Sequence, residues 1–185
     1  MDLTDENNAV ARLVTTVFDS TIREVGRDHE WNCLRMRQNI PQLNDTPDFG
    51  YDFQYQLPGE LIRLLRLNGR DIQDITDLYD IEGRKLLTDA TVAKIQYIGY
   101  TNDSTVYDSL FVECIAMKLA GKLATIIRDD EAMGQSLKQE YLTVTLPGAR
   151  KVDGNERNKA PYDAREKSRL LNARRLGTFA GSVEI

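Results

Sequence analysis

One histidine and two cysteines in 185 residues leave this chain nearly without the side chains that bind transition metals or act as nucleophiles. His29 has no second imidazole with which to hold zinc and no triad around it, so it reads as a solvated or capping residue. Cys33 and Cys114 lie far apart, outside any CxxC spacing. Two lone thiols in a reducing cytoplasm read as small buried hydrophobes and not as a disulfide. Glycines are scattered, and neither GxxxxGK[ST] nor GxGxxG occurs, so no phosphate loop supports nucleotide chemistry. The acidic run Asp71, Asp74, Asp77, Asp80 and Glu82 lacks the spacing of a calcium loop. No pair of carboxylates stands out for hydrolysis. No apolar run approaches the roughly 20 residues that cross a bilayer, and the opening MDLTDENNAV is acidic where a signal peptide is basic. These absences predict a cytoplasmic protein that is not an enzyme, with no metal, no cofactor and no membrane partner.

What remains is an ordinary globular composition, 41% hydrophobic and 29% charged, which excludes a disordered chain. The length fits one domain and an appendage, and a domain of about 150 residues buries roughly 70% of its unfolded surface. Charge divides unevenly. Residues 1–149 carry 15 basic against 24 acidic side chains, net −9, and residues 150–185 carry 9 against 5, net +4. An acidic body with a basic tail predicts separate partners for the two.

Apolar residues Val10, Leu13, Val14, Val17, Phe18, Ile22 and Val25 recur at three- and four-residue steps, predicting an amphipathic helix over about 4–26 that ends at Gly26. The period then shortens toward two. Phe49, Tyr51, Phe53 and Tyr55 alternate with Gly50, Asp52 and Gln54, as in a strand, and LIRLLRL runs into the hairpin dipeptide Asn68-Gly69. A second hairpin is expected around Glu82-Gly83, and a last strand over 92–100. Helix resumes at about 105–128 with Asp103 and Ser104 as caps, on a wide stripe from Val106 to Ile127. Another helix is expected over 130–145, stopped by Pro147-Gly148. The fold class predicted is α+β: an antiparallel helical bundle with a small antiparallel β-layer inserted over about 29–100 in a domain of residues 1–149, followed by an extended C-terminal arm, 150–185.

The arm is polar and cannot form a core alone. Arg157, Lys159, Arg165, Lys167, Arg169, Arg174 and Arg175 face only Asp163 and Glu166 between residues 157 and 175. Such a cluster suits phosphates or a protein groove. Few aromatics are interleaved to stack bases, and Leu170-Leu171 between arginines suits an apolar ridge that docks into a protein, with a short helix expected over residues 161–175 once docked.

Between His29 and Gly99 the phrases HEWNCLR, PDFGYDFQYQLPGELIRLLRLNG, YDIEGRKLLTD and VAKIQYIG follow one another. As an ordered set they resemble bacteriophage head-to-tail adaptor proteins, also called tail tubular protein A or gatekeeper proteins. The matched positions are Trp31, Tyr55-Gln56-Leu57-Pro58, Leu64, Glu82-Gly83-Arg84, Leu86-Leu87-Thr88-Asp89 and Tyr97-Ile98, with Phe111, Ala116, Leu119 and Ala120 on the following helix. The resemblance covers about residues 10–150. It implies a structural virion protein at the head–tail junction, assembled in the host cytoplasm into a twelve-fold ring of like subunits. It further implies a portal protein bound through the arm (Arg165, Arg169, Leu170, Leu171, Arg174, Arg175), a next tail component such as a nozzle or tail tube, and genomic DNA that passes through the channel without specific binding. Read from the residues alone, a small nucleic-acid-binding or regulatory module with a basic arm stays open as the alternative.

Overall fold

A computed structural model of the chain describes residues 9–156. Contacts divide the chain into Met1–Asp153 and Gly154–Ile185, and the fold described is that of the first unit. It is α+β, with helices and antiparallel sheets.

Helix α1, Ala9–Asp28, buries Ile22 and Val25 completely, whereas Phe18 from the same predicted stripe is 38% exposed. The helix does not end at Gly26. A Cβ at that glycine would lie 2.9 Å from the Ile62 side chain and 3.2 Å from that of Leu34, so Gly26 serves close packing inside the last turn and not a C-cap. The end comes at Asp28, where side chains satisfy carbonyls that no helical N–H can reach. Trp31 Nε1 donates to Val25 O at 2.7 Å, and Arg150 donates to Asp28 O.

The β-region forms two sheets where a single layer was expected. Strands β1 (Arg35–Ile40), β2 (Phe53–Gln56), β3 (Leu61–Leu67), β4 (Arg70–Asp71), β5 (Asp80–Glu82), β6 (Lys85–Thr88) and β7 (Ala93–Gly99) pair antiparallel in the orders β1-β7-β3-β4 and β2-β6-β5. Two apolar faces explain the split. Ile98 and Leu65 point to the helices and join Ile22, Trp31 and Phe111 in one core, while Ile95, Tyr97, Leu64 and Leu67 join Tyr55 and Leu86 of the smaller sheet in a second. The central strand β7 is therefore buried everywhere except Lys94. The alternation from Phe49 to Tyr55 reads as a longer strand than β2 proves to be. Gly50 turns the backbone to φ +89° and leaves Phe49 89% exposed.

Asn68 and Gly69 adopt φ 51° and 82° in the two-residue turn between β3 and β4, the geometry that this dipeptide favours. Asp103 caps a single 3₁₀ turn, Ser104–Val106, instead of the following helix. Helix α2 begins at Ser109 under the side chain of Asp108 and runs to Arg128. Helix α3, Glu131–Glu140, is capped by Asp130 and crosses α2 where Gly121 and Gly134 meet. Pro147-Gly148 does not stop the chain. A π-helical turn, Tyr141–Thr145, leads directly into helix α4, Leu146–Glu156. Proline is tolerated here because the turn before it has left the regular i→i−4 register, Leu146 N donating to Tyr141 O five residues back.

Candidate functional site

Of the positions on which the adaptor resemblance rests, those from Tyr55 to Pro58 and from Glu82 to Asp89 gather in and around the smaller sheet, whereas Leu64, Tyr97 and Ile98 lie in the larger sheet and Phe111, Ala116, Leu119 and Ala120 on α2. Gly83 and Arg84, with φ 50° and 70°, make the turn between β5 and β6, and Glu82 pairs with Lys85. The turn expected at Glu82-Gly83 therefore lies one residue further along. Arg84 holds this unusual backbone conformation within several anchoring bonds. Its guanidinium donates to Pro58 O at 2.5 Å and Gly59 O at 2.9 Å, and its carbonyl accepts from Leu57 N at 3.0 Å. At the other end of the sheet, Asp89 accepts from Asp52 N at 3.0 Å, and Tyr55 Oη donates to Ala90 O at 2.6 Å. Leu57 and Leu87 are buried, while Glu82 is exposed. Tyr55, Leu57, Pro58, Gly83, Arg84, Leu87 and Asp89 thus belong to one hydrogen-bonded unit. Trp31 is elsewhere, fully buried in the helix-side core and edge-on to Phe111 with ring centroids 5.1 Å apart.

A second polar centre lies where α1 ends. Asp28 Oδ2 accepts from Tyr141 Oη at 2.6 Å and from Lys118 Nζ at 2.8 Å, and Lys118 also reaches Glu24 at 3.5 Å. Lys122 pairs with Glu24 at 2.6 Å. These groups line a groove of about 640 Å³ between α1, α2 and α3. Burial and the Asp28 hydrogen bond push the Tyr141 phenol well up, so it keeps its proton and acts as a donor to the carboxylate, not as a base. The π-helical turn presents Tyr141 to this site. Such turns reposition one side chain relative to the regular helix around it.

Twelve residues beyond Tyr141, Asp153 of α4 is 4% exposed and clamps the segment after α1. Its Oδ1 accepts from Asn32 N at 3.0 Å, its Oδ2 lies 2.9 Å from His29 Nε2, and its carbonyl accepts from Asn32 Nδ2 at 2.8 Å. His29 thus lies at hydrogen-bond distance from a buried carboxylate and packs edge-on against Trp31, where a solvated or capping residue was expected.

Among the described residues no group of three or more His, Cys, Asp or Glu side chains is placed to hold a metal ion. No helix among them is long and apolar enough to cross a membrane. Cys114 is buried and Cys33 half-buried, both free. The arm positions Arg165, Arg169, Leu170, Leu171, Arg174 and Arg175 lie outside the described residues, as does the helix expected over 161–175.

No protein-family model matches the chain, and no curated protein does.

Asp28, Tyr141, Lys118 and Asp153 were not legible in the sequence. Their pairings bridge 90 to 124 positions, which no local spacing encodes.

Proposed function

We propose that this chain is a structural virion protein, a head-to-tail adaptor that forms a ring beneath a portal, connects capsid to tail and extends the DNA channel. The observation that carries the reading is the ordered set of phrases from HEWNCLR to VAKIQYIG. Their meeting in space supports it: the Gln-Leu-Pro phrase is tied to the Glu-Gly-Arg turn through Arg84, and the Leu-Leu-Thr-Asp phrase to the segment leading into β2 through Asp89. In this reading α1, α2 and α3 act as an antiparallel bundle, the β-region is its insertion, and the chain beyond Glu156 is an extended arm. Like subunits contact one another heterologously and close into a twelve-fold ring. The arm engages the portal, the β-region meets the next tail component, and the acidic body lets genomic DNA pass without specific binding.

Light scattering and imaging of the full chain, alone and mixed with its cognate portal, test the proposal. Ring-shaped particles forming on the portal are expected. A species that stays monomeric in both samples, with no portal affinity, would refute it. A chain truncated after Glu156 is expected to keep its fold and lose portal binding, and unchanged binding would remove the arm from the mechanism.

A further inference from the structure

The larger sheet carries a basic depression that neither the cores nor the adaptor reading uses. Residues 94, 96 and 98 of β7 share one face, and Ile98 at the near end of that face lies under the helices. Beyond the helices the same face is open. There Gln96 is flanked directly by Arg37 of β1 and Arg66 of β3, and Lys94 is paired with Asn39. Strand spacing puts the two arginine backbones about 9–10 Å apart, with Lys94 about 7 Å further along. Together these residues line a depression of about 430 Å³.

Two observations mark this depression as built for an anion. The covered end of the face also has two arginines, but there Arg35 and Arg63 both reach Glu30, at 3.5 and 3.9 Å. Arg37, Arg66 and Lys94 make no ion pair among the described residues, within a body of net charge −9, although Asp71 stands opposite Arg66 in the β3–β4 pair. Gln96, only 8% exposed, has a side-chain amide with no hydrogen-bond partner among the described residues and lines the depression. That amide opens into the depression and is not sealed in the core, so it is available to a ligand there.

We propose that this face binds the phosphodiester backbone of nucleic acid. Arginine forks, a lysine and amide side chains are the groups that hold phosphate oxygens. A protein partner would need an apolar anchor at the centre of the contact, and the face centres instead on Gln96 between two arginines. No aromatic lies on it to stack bases, so binding is independent of sequence. The inference does not rest on ring formation: it holds for an adaptor that guides a genome and for a free monomer alike.

Fluorescence anisotropy of a labelled 20-base-pair duplex, titrated with the full chain from 50 to 200 mM salt, tests it. The probe is run with wild type, with Arg37→Gln/Arg66→Gln/Lys94→Gln, and with an arm variant in which Arg165, Arg169, Arg174 and Arg175 become Gln. Loss of three phosphate contacts is expected to lower the slope of log affinity against log salt by about 2.7, removing roughly 40-fold of salt sensitivity over that range. The arm variant should show the same drop when the sheet residues are added to it. Circular dichroism confirms that exposed Arg→Gln changes leave the fold intact. The proposal is overturned by absence of binding at 50 mM salt, by unchanged affinity and slope in the sheet variant in both arm backgrounds, or by poly-glutamate competing better than unlabelled DNA, which would make the occupant an acidic protein.

Discussion

Single side chains here are governed more by burial than by charge count. Cys114 is fully buried, and desolvation pushes its thiol up to about 11. At pH 8 it stays a thiol and is shielded, so an aromatic disulfide reagent is expected to modify the half-buried Cys33 first and Cys114 only on unfolding. Equal rates for the two, read by peptide mapping, would contradict this. Tyr141 gives a second test. Replacing it with Phe removes the donor to Asp28 and is expected to destabilise the chain by about 1–2 kcal/mol in urea titration. The same tyrosine sets an alkaline limit. Its folded value lies above the ordinary 10, so above pH 10 the unfolded chain releases a proton that the folded one retains, and stability falls as pH rises. Tyr97, raised to about 12 by burial and the Glu60 hydrogen bond, adds to the same fall. The urea midpoint of Tyr141→Phe should therefore decline less between pH 9 and 11 than that of wild type.

At the scale of elements, two helical glycines make opposite predictions. A Cβ on Gly134 would lie 2.3 Å from Thr125 Oγ1 and 3.1 Å from the Gly121 carbonyl oxygen. Backbone cannot yield as a long side chain can, so Gly134→Ala is expected to force α2 and α3 apart and cost about 1–3 kcal/mol despite its better helix propensity. A Cβ on Gly148, in the first turn of α4, would meet nothing within 4 Å. Gly148→Ala is expected to stabilise by about 0.5–1 kcal/mol. Thermal melts of the two variants check both signs at once. The β5–β6 turn is a further element whose conformation depends on contacts outside it, since Arg84 holds a positive φ while its side chain ties down the Pro58 and Gly59 carbonyls.

For the whole molecule, the informative boundary is the one between fold and arm. A division after residue 149 would cut into α4 and remove Arg150, which caps the last carbonyl of α1, and Asp153, which clamps His29 and Asn32. Truncation after Gly148 is expected to lose roughly 3 kcal/mol, a fall in Tm of about 6–12 °C, and truncation after Glu156 to leave Tm nearly unchanged. Calorimetry separates the two. The comparison also decides how a portal-binding experiment is read, because a shortened chain that loses its clamp loses binding for reasons unrelated to the arm.

Periodicity and turn chemistry by themselves determined the α+β class, the existence of the α1, α2 and α3 helices, and the Asn68-Gly69 turn. These depend on interactions within a few residues, where spacing and dihedral preference suffice. Composition alone also set apart the basic end of the chain. Only the tertiary structure decided where the helices end, because Gly26 and Pro147 read as breakers until packing against Ile62 and the π-helical turn are seen. It alone divided the strands into two sheets, since a residue pattern buried on both faces does not say which face meets helix and which meets sheet. It alone joined Asp28 to Tyr141, Asp153 to His29, and placed Arg37 and Arg66 on either side of Gln96. Such pairings arise from chain crossings over tens of residues, and the free energy that selects them belongs to the assembled core and not to any local segment.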